Sequence, residues 1–143
     1  MSLSFDQRDG YIWMNGALVP WKDAKLHVLS HGLHYGSCVF EGERAYGGNI
    51  FKSREHSERF CRSAEILDFE IPYSVEQLDA AKDATVRANG LVNCYVRPVA
   101  WRGSEMMAVA AQNSTINVAI AVWDWPSMFD IATKMKGIKL DIA

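Results

Sequence analysis

The sequence predicts an α+β domain, an antiparallel sheet with two helices packed on one side, and three observations carry that prediction. Runs of period-two alternation stand near both ends of the chain, two helix-period segments with their own start and stop signals lie between them, and an Asn-Gly pair joins the first two strand-like runs. With 143 residues, 49% of them hydrophobic, the chain can build one core and is short for two.

Residues 11–14 (YIWM) and 17–19 (ALV) flank Asn15-Gly16, the strongest short hairpin signal, and Pro20 closes the second strand. Residues 24–29 alternate loosely and lead into SHGLHYGSCVFEGERAY, residues 30–46, the stretch with the densest chemistry. Read as a strand, residues 37–46 put Cys38, Phe40, Gly42, Arg44 and Tyr46 on one face and Ser37, Val39, Glu41, Glu43 and Ala45 on the other. Neither face is purely apolar, so the strand is either a surface edge or a pocket wall. Gly42 offers no side chain to pack, which suits a bulge or close approach by a ligand or another backbone.

Gly47-Gly48-Asn49 makes a turn and residues 50–52 a short returning strand. Ser53 is the expected N-cap of a helix running to about Asp68, with Phe60, Ala64 and Leu67 as its apolar stripe, Cys61 beside them and Arg59 just off it. After Pro72, Ser74 to Gln77 forms a capping-box pattern. The second helix then carries Leu78, Ala81, Ala84, Thr85 and Ala88 and stops at Asn89-Gly90. Residues 93–102 alternate Tyr95, Arg97, Val99 and Trp101 against Cys94, Val96, Pro98 and Ala100. Residues 103–114 form a loop with two methionines, and residues 117–125, nearly all apolar, are expected to be a central strand buried on both faces. Residues 137–143 alternate like a strand with no stop signal, which suggests one domain over residues 1–134 and the start of an interdomain segment or second domain at 135–143.

The totals exclude several functions. Fifteen basic against 17 acidic residues give a net charge of −2, without the basic stripe of a nucleic-acid-binding domain. The longest apolar run, near residues 116–125, falls short of the roughly 18–20 residues a membrane helix needs. No basic start with an apolar run follows the initiator, and Cys38, Cys61 and Cys94 form no C-x-x-C pair. Together these predict a soluble, cytoplasmic protein with reduced cysteines.

Arg97, in phase with Tyr95, is a natural carboxylate fork, with a structural ion pair to Glu41, Glu43 or another acid as the alternative. Arg59 is either a phosphate receptor or the partner of Glu55 or Glu58. His31 and His34 stand in H-x-x-H spacing, and His56 adds a third imidazole, but Gly32 and Gly36 argue against a helix there and hence against a metal site. No Walker loop, nucleophile elbow or Rossmann glycine run occurs. These patterns alone name no reaction.

The segments YIWMNGALVPWKDAKLHVLSHGLHYGSCVFEGERAY, FKSREHSERF and YVRPVAWRG resemble the N-terminal half of the branched-chain amino-acid aminotransferases, fold-type IV pyridoxal phosphate enzymes. The resemblance covers nearly the whole chain and implies the small N-terminal domain of that fold. It implies that Arg59 binds the phosphate of pyridoxal 5'-phosphate and that Tyr35 and Arg97 receive the substrate carboxylate, with Tyr95 close by. It further implies that Phe40, Gly42 and Trp125 wall the aliphatic pocket, with Arg44 nearby, and that Tyr35 and Val109 reach a neighbouring subunit's site in a homodimer or higher homo-oligomer. Amino and 2-oxo acids would be the substrates, with leucine, isoleucine or valine passing an amino group to 2-oxoglutarate. Met128 stands where the family commonly has a tyrosine. The family's Schiff-base lysine would lie past Ala143, none of the seven lysines present stands in its motif, and the chain alone is therefore expected to be inactive. The alternatives are a non-catalytic binding or dimerisation domain, or an (R)-amine or D-amino-acid transaminase relative.

Overall fold

The structure, a computed structural model, describes residues 4–126 and 130–141. Strands β1 (Tyr11–Met14) and β2 (Ala17–Pro20) form the expected hairpin, with Met14 opposite Ala17 and both Asn15 and Gly16 at positive φ. Strands β3 (Cys38–Phe40), β4 (Glu43–Tyr46), β5 (Asn49–Ile50), β6 (Cys94–Arg102) and β7 (Ile116–Trp123) complete an all-antiparallel sheet ordered β2-β1-β7-β6-β4-β5, with β3 also on β6. Helices α2 (Ser53–Ile66) and α3 (Val75–Ala88) cover one face and enclose the core of Phe60, Ala64, Leu78, Val96, Val118 and Ile120. The capping box of α3 is present in both directions, and Gly90 leaves the helix at φ 62°.

β3 and β4 share one register on β6, since Phe40 pairs with Val99 and Glu43 with Val96. They are a single strand interrupted at residues 41–42, and Pro98 explains the interruption. It stands opposite Glu41 and accepts that residue's N–H at 3.0 Å but has no N–H to return. The expected alternation survives the break: Val39, Glu41, Glu43 and Ala45 are buried, while Cys38, Phe40, Gly42, Arg44 and Tyr46 face the other way.

Several expectations change. Residues 31–35 do form a short helix, α1 (His31–Tyr35), closed by Gly36 in the left-handed region at φ 67°. Gly32 lets that helix lie against the sheet, because a Cβ there would stand 3.1 Å from the Trp101 Cβ. Thus α1 packs on the face opposite α2 and α3. Ser53 is not the cap of α2. Lys52, in the left-handed region, precedes the helix, and the Ser53 hydroxyl donates to Asp79 instead. On the apolar stripes, Leu67 and Ala88 are exposed, whereas Ser57, Lys82 and Val86 are buried. β7 is central but not buried on both faces: Val118, Ile120 and Val122 point into the core, and Ala119 and Ala121 floor an open cleft. At the C-terminal end, Ile131–Met135 forms a helix, α4, and residues 137–141 form no strand.

Candidate active site

The helix-side face of residues 38–46 carries two buried carboxylates, each matched by a cation. Arg59, on α2, donates its Nε and Nη2 to the two Glu41 oxygens at 2.6 Å each, and His56 Nδ1 lies 2.8 Å from Oε2. Burial pushes the Glu41 carboxyl up, but Arg59 and His56 overcome it and hold the group below the usual glutamate range. Two residues on, Glu43 is fully buried against Lys82, whose ammonium lies 2.9 Å from Oε2 and also reaches Asp79 and the Ser53 carbonyl. Burial raises the Glu43 carboxyl above the usual range against the pull of Lys82.

Neither Glu55 nor Glu58 engages Arg59. Glu55 pairs with Lys52 and Glu58 with Arg54, while Arg59 reaches back over the sheet edge to Glu41. Its side chain is 63% exposed, and Nη1 makes no hydrogen bond among the described residues.

The opposite face gathers the other candidates. Arg97 lies with its guanidinium 4.2 Å from the Phe40 ring centroid and 5.2 Å from that of Tyr95. Strand alternation puts Glu41 and Glu43 on the far side of the sheet, so the alternative ion pair for Arg97 does not form. Among the described residues it pairs with no acid, and its buried Nε has no hydrogen-bond partner. Tyr95 packs against Trp123 and Trp125, at centroid distances of 4.9 and 4.6 Å. Its hydroxyl occupies the space a Cβ on Gly42 would need, and its Cζ would lie 3.2 Å from that atom. The close approach at this glycine is therefore made by a neighbouring phenol, not by a ligand or another backbone. Arg44 donates to the Trp125 carbonyl at 3.0 Å and so anchors the end of that aromatic group. A cleft of about 270 Å³ opens beside Arg97, lined by Ile12, Met14, Leu33, Val99, Trp101 and Ala119 among others.

Tyr35 and Val109 stand apart from this group, on α1 and on the loop after β6, and both are exposed, at 48% and 86%. The three histidines do not converge. His31 bonds Ser37 and Ala108, His34 bonds the Val28 carbonyl and His56 bonds Glu41, and no group of three metal-ligating side chains occurs among the described residues. Met128 lies outside the described residues.

Sequence reading did not single out Trp123, Lys82 or the tie between Glu41 and Arg59. The register would have exposed Trp123, which pairs directly with Tyr95. Two glutamates on the buried face of one strand demanded nearby cations, and that was the available sign of Lys82.

The fold of this α+β domain is shared with the class IV aminotransferases. The model of that family, Amino-transferase class IV, matches residues 38–139, and the chain belongs to it. It is 43% identical over 142 residues to the branched-chain-amino-acid aminotransferase of Pseudomonas aeruginosa, covering 96% of this chain and 46% of the relative. It is 41% identical to the Escherichia coli enzyme of the same name over 134 residues, 90% of this chain and 43% of that protein. A crystal structure of the T.th. branched-chain amino acid aminotransferase complexed with N-(5'-phosphopyridoxyl)-L-glutamate superposes with a TM-score of 0.78 at 46% identity, covering 82% of this chain and 42% of that one. The chain thus spans a little under half the length of the relatives it matches.

Proposed function

We propose that this chain is the N-terminal, substrate-facing half of a pyridoxal-phosphate-dependent branched-chain aminotransferase, acting in the cytoplasm as a homodimer and moving the amino group of leucine, isoleucine or valine to 2-oxoglutarate. The single observation that carries the reading is Arg97. A guanidinium held between two aromatic rings, with a buried Nε unpaired and no acid opposite it among the described residues, suits an anion from outside the domain. The rings of Phe40, Tyr95 and Trp125 on that face suit an aliphatic side chain, whereas the apolar cleft that Arg97 also borders is lined by none of them. Relatives crystallised with phosphopyridoxyl-glutamate and pyridoxamine 5'-phosphate support the cofactor.

The residues present fit that cofactor in part. Arg59 would hold the phosphate through the edge that Glu41 leaves open, with Nη1 as a free donor. When bound, pyridoxal phosphate supplies an electron sink for the carbon that loses its proton. This chain's residues would orient the amino acid: Arg97 fixes the carboxylate, while Phe40, Tyr95 and Trp125 exclude water around the side chain. Tyr35 and Val109, both exposed, would contribute to the partner's site.

The test compares the 143-residue chain with a protein carrying this half together with the lysine-bearing half. The longer protein is expected to transaminate leucine with 2-oxoglutarate and the chain alone to show no turnover. Arg97→Met in the longer protein removes a charged hydrogen-bond receptor worth about 1.5–3 kcal/mol, a rise of roughly 10- to 100-fold in leucine KM. An unchanged KM would remove Arg97 from the reading.

A further inference from the structure

We infer that His31 is a positioning residue that holds Tyr35 and Val109, the two residues expected to reach a partner's site, in one unit; the inference rests on the reading of the site given above. His31 is 3% exposed and uses its whole ring. Nε2 lies 2.9 Å from the Ala108 carbonyl oxygen, which can only accept, so Nε2 carries the proton and donates it. Nδ1, 2.6 Å from the Ser37 hydroxyl, accepts from it. The ring face stacks on Tyr35, one turn along α1, with centroids 4.5 Å apart and planes 22° from parallel.

The loop after β6 needs such a tie. Its ends are fixed by Gly103 N donating to the Thr115 carbonyl and by Arg102 Nη1 donating to the Ala111 carbonyl, each at 2.8 Å. Between Met106 and Ala110 the bond from His31 is the only hydrogen bond among the described residues. It fixes the carbonyl directly before Val109, whose side chain stands out into solvent. The same histidine's backbone N–H donates to the Gly103 carbonyl at 2.8 Å, so helix and loop are joined at two points. A single imidazole therefore sets the helix residue through its face and the loop residue through its edge.

Two substitutions in the full 143-residue chain separate face from edge. His31→Phe keeps a ring for Tyr35 and loses both side-chain bonds. The backbone ¹⁵N order parameter of Val109 is expected to fall from about 0.85 to below about 0.6, with the Tyr35 ring resonances close to those of the native chain. His31→Gln keeps a donor for Ala108 and an acceptor for Ser37 but loses the stack, so Val109 stays ordered and the Tyr35 ring loses its ring-current shift. Amides of β6 and β7 serve as the internal reference. Equal loosening of those strands and of Val109 would show a merely structural role and overturn the inference, as would an unchanged order parameter at Val109 in His31→Phe. A long-range ¹⁵N–¹H spectrum of the native chain should show the proton on Nε2, and a proton on Nδ1 alone would also overturn it. The site reading fails separately, if Val109→Asp in the longer aminotransferase leaves leucine KM unaltered.

Discussion

On the helix side of the sheet, Glu41 and Glu43 are buried and each closes on a cation, whereas on the open side Arg97 lies between Phe40 and Tyr95 and pairs with no acid among the described residues. The two arrangements come from adjacent residues of the same paired strands, separated only by the side-chain alternation. A charge buried inside the domain must be satisfied by the domain itself, because water cannot reach it and an unpaired charge there is costly. A charge on a face left open to a ligand can leave its pairing to that ligand. Paired charges thus mark the part of the molecule that holds the fold, and the unpaired one lies on the face that the proposed function would offer to a substrate.

The largest effect is expected at Lys82. Lys82→Met leaves Glu43 buried without its cation and should cost about 3–5 kcal/mol in denaturant unfolding. Adding Glu43→Leu should recover most of that loss; a double variant as unstable as the single one would show that Asp79, not Glu43, is the partner that matters. Gly42→Ala comes next. The new methyl group meets the Tyr95 hydroxyl, and such overpacking costs about 1–3 kcal/mol while moving the ring that touches Trp123 and Trp125, so tryptophan fluorescence should shift together with the unfolding midpoint.

Acid sharpens the contrast on the Glu41 side. The folded protein holds this carboxyl below its unfolded value, so the unfolded chain binds the proton first as pH falls. Stability from the Glu41–Arg59 contact is present above the usual glutamate range and is lost as pH drops through the lowered folded value. Glu41→Gln should flatten that part of the stability–pH curve. The effect is smaller than the loss at Lys82, because water screens the exposed Arg59. An equally steep curve in the variant would assign the acid sensitivity to another carboxylate. Arg97→Met should change stability least, by about 1 kcal/mol or less, since no acid among the described residues pairs with that charge and only its contacts with the Phe40 and Tyr95 rings are lost. A large loss there would mean that the open face is part of the fold after all.

Periodicity and turn chemistry were enough to read the hairpin at Asn15-Gly16, the capped helix from Ser74 and the alternation over residues 38–46, because each is decided within a few residues. The short helix at residues 31–35 escaped that reading. Its glycines lower intrinsic propensity, but Gly32 allows contact with Trp101, and tertiary packing outweighed propensity. Among candidate site residues, the grouping of Phe40, Tyr95, Arg97 and Trp125 depended on which strands became neighbours, and so did the separate position of Tyr35 and Val109.

The fold class, the two faces of the strand through Glu41 and Gly42, and the family were all legible in the chain before it folded, since they rest on local spacing and motif. Which charge meets which was settled by packing alone. Glu41 turns to Arg59, 18 positions along the chain, and Glu43 to Lys82, 39 positions along, and neither distance leaves a periodic trace in the chain. Arg97 remains open for the same reason: β6 placed it on the face that those acids cannot reach.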